Sequence, residues 1–269
     1  MKMNPLAVLV LAALALLSAA SAQDERPVVK DGDLPADQAA SRSLPVLWLA
    51  GDSTVRNGQQ TMHGWGEEIG KVLDPAKIQV MNRAIGGRSS RTFYTDGRWE
   101  KMLGEMKKGD VVLVQFGHND VGALDAAGKF RGSIKGTGEE TQEVKKPDGS
   151  TETVHSYGWY LRHFARTAKA KGVTVVLCSP VPHKRFDREG KFVPDWQGWR
   201  AWVEECAKAE GVEYLDLADV IGKKYAALPA KDVEGFFADK GTHTNAAGAE
   251  FNAKCVVEGA GKILAGYVK

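Results

Sequence analysis

The chain has 269 residues, a formal net charge of +2 and 43% hydrophobic residues. Charge this close to balance argues against a large uniform polyanion-binding surface, so nucleic acid is not an expected partner, although a local basic groove stays open. Three cysteines, Cys178, Cys206 and Cys255, are too few and too widely spaced for a disulfide scaffold or a zinc motif.

In chain order, Lys2 precedes an apolar run from Leu6 to Leu17 and the small residues Ala20, Ser21 and Ala22. That pattern predicts a signal peptide over 1–22, with cleavage before Gln23 and export to the periplasm or beyond the cell. The run is too short to cross about 30 Å of hydrocarbon comfortably, and no membrane partner is expected after cleavage. Losing Lys2 would leave a net charge of +1. Residues 23–43 are rich in Asp, Pro, Ala and Ser without apolar periodicity and read as a flexible lead-in; 44–269 suits one α/β domain.

Five short apolar, β-branched runs follow: "VLWLA" from 46, "IQVMN" from 78, "VVLVQF" from 111, "VTVVL" from 173 and "VEYLDL" from 212. Helical patterns fall between them at 64–73, 97–107, 157–171 and 195–210, with a last one at 245–265. Continuous apolar strands alternating with helices predict a parallel sheet covered on both faces, a three-layer α/β/α architecture of about five strands. The polar stretch from Gly122 to Ser156 is too long for an ordinary connection. It reads equally as a substrate-lining loop or a solvated excursion. Cys178 follows "VTVVL" and reads as a buried core residue, while one disulfide among the three cysteines stays open.

Candidate chemistry gathers at the strand ends, where open parallel sheets bind ligands. Ser53, two residues after Gly51 at the first strand end, can project a hydroxyl above the sheet, although Gly-Asp-Ser there also serves as a turn or helix cap. A phosphate cradle is the other reading of this loop. Beyond the second strand, in "NRAIGGRSSRTF", Gly86 and Gly87 allow close backbone approach and an exposed N–H for an oxyanion, or simply a tight turn. The third strand ends in "QFGHND": the Asn119 amide can stabilise an oxyanion without titrating, whereas His118 reads as structural. Near the C-terminus, "ADKGTHTNAAGAE" places His243 on a loop before a helix, with Asp239 the nearest carboxylate able to orient it.

Each feature is weak singly, but nucleophile, oxyanion donors, base and carboxylate form a complete set for ester hydrolysis. These blocks, in this order, resemble the SGNH (GDSL-like) hydrolases, and within them the rhamnogalacturonan acetylesterase group: "LAGDSTV", "NRAIGGRSSRTF", "QFGHND" and "THTNAAGAE", with "GWGEEI" and "HSYGWYLR" in addition. The resemblance implies a flavodoxin-like SGNH hydrolase fold and a catalytic set of Ser53 as nucleophile, His243 as base and Asp239 as the third member. It further implies an oxyanion hole from the Ser53 N–H, the Gly87 N–H and Asn119, with no metal or organic cofactor. The group's usual aspartate lies three residues before the histidine, a position held here by Lys240. Gly241 therefore reads as an inserted residue that would loop out and restore Asp239 to its place; failing that, the site would be a Ser–His dyad.

The implied activity is removal of O-acetyl groups from pectic polysaccharide, with rhamnogalacturonan named by the resemblance alone. Arg88 and Arg91 are candidates for galacturonate carboxylates or for surface ion pairs. Trp159 is a candidate sugar-stacking surface, whereas Trp199 and Trp202, at helical spacing, read as core. Acetylated plant cell-wall polysaccharide is thus the expected partner. The alternatives are an esterase of acetyl-xylan or small acyl esters, a flavodoxin-like phosphate or flavin binder, and a non-catalytic polysaccharide-binding protein.

Overall fold

The computed structural model describes residues 43–57, 59, 61–125 and 129–269. The expected signal peptide and, Ser43 apart, the expected lead-in lie outside the described residues. The strands are β1 (Val46–Gly51), β2 (Gln79–Asn82), β3 (Val111–Gln115), β4 (Thr141–Lys145), β5 (Thr151–His155), β6 (Thr174–Cys178) and β7 (Glu213–Leu215). Five of them form one sheet in the order β2-β1-β3-β6-β7, every pair parallel. The helices are α1 (Trp65–Glu68, continued by a 3₁₀ turn at Ile69–Lys71), α2 (Ser90–Thr95), α3 (Arg98–Glu105), α4 (Tyr157–Ala170), α5 (Gln197–Glu210), α6 (Leu217–Ala226), α7 (Ala230–Glu234) and α8 (Ala246–Gly259).

All six residues of β1 are buried, as a strand covered on both faces requires. Alternation with period two divides the side chains between two cores. Leu47, Leu49, Leu113 and Val176 pack with Trp65 of α1, Ile221 of α6 and Val256 of α8. Trp48, Ala50, Val112 and Leu177 face the other way, onto Trp99 of α3, Phe164 of α4 and Val203 of α5. The result is the expected three-layer, flavodoxin-like α/β/α fold. Trp199 and Trp202 pack against this second core, as their helical spacing suggested.

The order places β2 and β3 on opposite sides of β1, so chain direction across the sheet reverses there. Ligands of such sheets bind in the crevice at the carboxyl ends of the strands flanking that reversal, here β1 and β3. Ser53 and Asn119 lie just beyond those two ends.

Two features depart from the expectation, and one open point is closed. The stretch 122–156 contains an antiparallel hairpin, β4–β5, that the sequence did not predict; it is largely exposed apart from the buried Val144 and Val154. Helices α2, α6 and α7 are additional, and α6 begins where the run "VEYLDL" was read as continuing strand, because Asp216 accepts the Asp219 N–H and caps it. All three cysteines are buried and free. Among the described residues, no helix is long and apolar enough to cross a membrane.

Candidate active site

The turn that carries Ser53 is held by close backbone approach and a buried polar network. A Cβ on Gly51 would lie 2.4 Å from Val55 Cγ2 and 2.8 Å from the Gln115 carbonyl oxygen, so glycine lets the chain fold back over the strand end. The Val55 and Arg56 N–H groups both donate to the Asp52 carbonyl, at 3.1 and 3.0 Å. Its fully buried carboxylate accepts from the Thr54 N–H (2.9 Å) and hydroxyl (2.7 Å). Gln115 donates to Thr54 Oγ1 at 2.9 Å, and the Trp65 indole donates to Gln115 at 2.8 Å.

His118 completes this network from β3, with Nδ1 3.1 Å from Asp52 Oδ2 and Nε2 3.2 Å from the Val181 carbonyl. Burial opposes charge on both partners, but their mutual attraction outweighs it. Asp52 is held below the ordinary carboxylate range, helped by Thr54. The His118 imidazole is held above its ordinary value, chiefly by Asp52. Two acceptors, one at each ring nitrogen, suit a doubly protonated ring. His118 and Asp52 thus brace the turn, in keeping with the structural reading of His118. Ser53, half-buried at the tip, lies with Oγ 2.8 Å from His243 Nε2.

The loop that carries His243 accommodates the unusual Asp239–His243 spacing. Asp239 Oδ1 accepts three successive backbone N–H groups, from Gly241 (2.9 Å), Thr242 (2.7 Å) and His243 (3.0 Å). Its Oδ2 lies 2.6 Å from His243 Nδ1. Burial alone would raise the Asp239 pKa; the three N–H donors and the imidazole outweigh it and bring the value down to about 2. Gly241 does not loop out: its N–H is one of the three donors and its carbonyl accepts the Lys184 N–H at 2.8 Å. The extra residue is absorbed by winding the turn around the carboxylate. Pairing of the His63 N–H with the Thr244 carbonyl (2.8 Å) anchors the loop to the start of α1, and Asn245 caps α8 two residues after His243.

On the opposite side of Ser53, a Cβ on Gly86 would lie 3.6 Å from Ser53 Cβ, so this glycine rests against Ser53. Gly87 has φ +81°, the left-handed region that favours glycine. Arg131 donates to the Gly87 carbonyl at 3.1 Å, fixing that peptide. The buried Asn119 donates through Nδ2 to the Arg88 carbonyl at 2.8 Å, and its second amide hydrogen is available to a ligand. Asp120, fully buried, accepts from Ser90 Oγ (2.5 Å), the Ser90 N–H (3.1 Å) and Ser133 Oγ (2.6 Å). Consecutive residues after β3 thereby clamp the glycine block and the 122–156 segment to one another. Burial drives the Asp120 pKa up to about 6, against the lowering effect of the serines. The sequence reading passed over Asp120, although its place beside Asn119 in "GHND" was a signal; Arg131, inside the polar stretch, gave none.

The three candidate substrate contacts fare differently. Arg91 is not available: its fully buried guanidinium donates to Glu152 (2.7 Å) and to the carbonyls of Leu124 (2.8 Å) and Gly132 (2.9 Å), tying the segment that holds β4–β5 to α2. Trp159 is not a free platform either, because His155 stacks on its ring at 3.8 Å and 11° and His163 at 5.4 Å and 10°. Arg88 forms an ion pair with Asp96 at 2.7 Å.

The sequence profile of the GDSL-like Lipase/Acylhydrolase family matches residues 49–251, from within β1 to within α8. This chain belongs to that family. The four blocks of the site fall inside the matched region of this GDSL-like hydrolase. It is similar to the rhamnogalacturonan acetylesterase of Emericella nidulans, 33% identical over 204 residues, which span 76% of this chain and 80% of the relative. Rhamnogalacturonan acetylesterase RhgT of Bacillus subtilis is 28% identical over 230 residues, covering 79% of this chain and 88% of the relative. Among solved structures, the Bacillus subtilis protein YxiM superposes with a TM-score of 0.68 at 26% identity, covering 86% of this chain and 60% of that one.

Proposed function

We propose that this GDSL-like hydrolase is a carbohydrate acetylesterase that removes O-acetyl groups from pectic polysaccharide, with rhamnogalacturonan as its substrate. The observation that carries this reading is the unbroken series Ser53 Oγ, His243 and Asp239, linked at 2.8 and 2.6 Å. In the proposed cycle, His243 Nε2 takes the Ser53 proton as Oγ attacks the acetyl carbonyl carbon. The resulting oxyanion is held by the Ser53 and Gly87 N–H groups and the Asn119 amide. Collapse breaks the ester bond, and the leaving sugar oxygen takes the proton from His243. A water then gives a proton to His243 and attacks the acetyl-enzyme; acetate leaves and the proton returns to Ser53. Asp239 holds the imidazole in the required tautomer and stabilises the imidazolium. Similarity to the Emericella nidulans enzyme over most of both chains supports the choice of polymer.

The test is acetate release from acetylated rhamnogalacturonan, acetylated xylan and a chromogenic acetate, with Ser53→Ala and His243→Ala in parallel. The expected result is preference for the pectic polymer and a loss of about 10³-fold or more in kcat for either variant. Unchanged turnover in Ser53→Ala would sink the mechanism. Activity confined to xylan would replace the substrate.

A further inference from the structure

A further histidine–carboxylate pair stands at the same edge of the sheet. His183, on the loop after β6, lies with Nδ1 2.6 Å from Asp195 Oδ2, and its backbone N–H donates to Asp195 Oδ1 at 3.3 Å. Two contacts link it to the residues around Ser53 and His243. The next residue, Lys184, donates its N–H to the Gly241 carbonyl in the turn that carries Asp239 and His243. The His183 ring centroid lies 5.1 Å from that of His118, whose other partner is Asp52, the residue before the nucleophile. One face of the ring stacks on Trp196 at 4.8 Å and 28°.

The pair is built rather than incidental. Trp196 is one of two non-glycine residues in the described chain with positive φ, at +72°, a conformation that costs energy unless its surroundings impose it. Its indole donates to the Val181 carbonyl at 3.0 Å, the same oxygen that accepts from His118. The strained residue thereby backs the His183 ring. The His183 side chain keeps 29% of its surface exposed, and Nε2 has no protein hydrogen-bond partner among the described residues. With Nδ1 turned to Asp195, Nε2 is the ring atom left to meet a ligand, and in the tautomer with the proton on Nδ1 it is an acceptor.

We infer that His183 is a specificity-determining contact whose Nε2 accepts a hydrogen bond from a free sugar hydroxyl next to the acetylated position, oriented for that task by Asp195 and Trp196. This rests on the reading of the enzyme as a carbohydrate acetylesterase and adds how it tells a sugar acetate from a simple alkyl ester. A polar group built to meet a hydroxyl discriminates against substrates that lack it, because the acceptor is then left unpaired.

The test is a cycle of two substrates against variants of His183. The substrates are a methyl galacturonoside with one acetyl group on a secondary hydroxyl, and its analogue with hydrogen in place of the neighbouring hydroxyl. For the wild type, kcat/KM on the first should exceed that on the second by about tenfold, the worth of one hydrogen bond. His183→Asn keeps an amide within reach of Asp195 but ends short of Nε2, and should bring the ratio close to one. His183→Gln places a polar atom near the Nε2 position and should restore part of it. A purely structural role would lower kcat/KM on both substrates in proportion and leave the ratio at its wild-type value; that result, or a ratio of one in the wild type, overturns the inference. Failure of the wild type to release acetate from any sugar would instead overturn the functional reading beneath it.

Discussion

Asp239 shows how a single residue's environment sets what the site can do. Three backbone donors and the imidazole hold its carboxyl at about 2, below its ordinary 3.8. For an acid with a depressed value, the stabilising contribution is complete above pH ~4 and is lost only as pH falls through about 2. The carboxylate therefore stays ionised through mild acid. Asp239→Asn should lower kcat by about 10²–10⁴-fold with little effect on KM, and an acid limb above pH ~3 should persist in its pH–rate profile. Disappearance of that limb in the variant would assign it to Asp239 instead. Ser53, Asn119 and His243 were legible in the sequence because each sits in a short block whose residue types suit one chemical task. The spacing of Asp239 was not, since three N–H groups converging on one oxygen depend on how the turn winds and not on residue count. Trp159 and Arg91 misled for a related reason: sequence gives a side chain's chemistry but not whether neighbours already occupy it.

The segment between β3 and α4 carries the element-scale consequences. Arg91 holds it through Glu152 and two backbone carbonyls, and Asp120 joins it through Ser133 to the N-terminus of α2. Arg91→Ala should cost about 3 kcal/mol in urea unfolding, because it removes a buried charge partner and leaves carbonyl groups unpaired. A change within 0.5 kcal/mol, on the order expected for a surface site, would show that this anchor is not needed. Asp120 supplies a pH signature of opposite sign to Asp239. Its folded value, about 6, lies above the ordinary 3.8, so the folded state prefers the neutral form. Stability from this group is present in acid and is withdrawn as pH rises from about 4 through 6. Asp120→Asn should remove that slope: the Tm of the wild type relative to the variant should fall across this window, and a parallel pair of Tm curves would refute the assignment. Polar composition concealed this segment in the sequence, for the β4–β5 hairpin buries only Val144 and Val154 on its way through a run of charged residues.

Across the whole molecule, stability rests on two cores divided by one sheet, with no covalent cross-link: Cys178, Cys206 and Cys255 are all buried and free. Burial pushes each thiol above its ordinary value, to about 11 for Cys206 and Cys255 and higher for Cys178. The native protein should therefore react slowly with a thiol reagent, expose three thiols on denaturation, and melt at the same temperature with or without reductant. A reductant-dependent Tm would reveal a disulfide. The parallel sheet, its two covering layers and the four site blocks were determined by the sequence itself. Apolar runs buried on both faces can be satisfied only by helices on either side, and the candidate site blocks keep their order in the chain. Tertiary structure alone decided which charged and aromatic side chains remain available to substrate, how the Asp239 turn reaches His243, and that His183 stands beside the same crevice. Those outcomes depend on how each turn winds and on contacts such as Arg91–Glu152 and His118–His183, which join distant segments and about which local pattern carries no information.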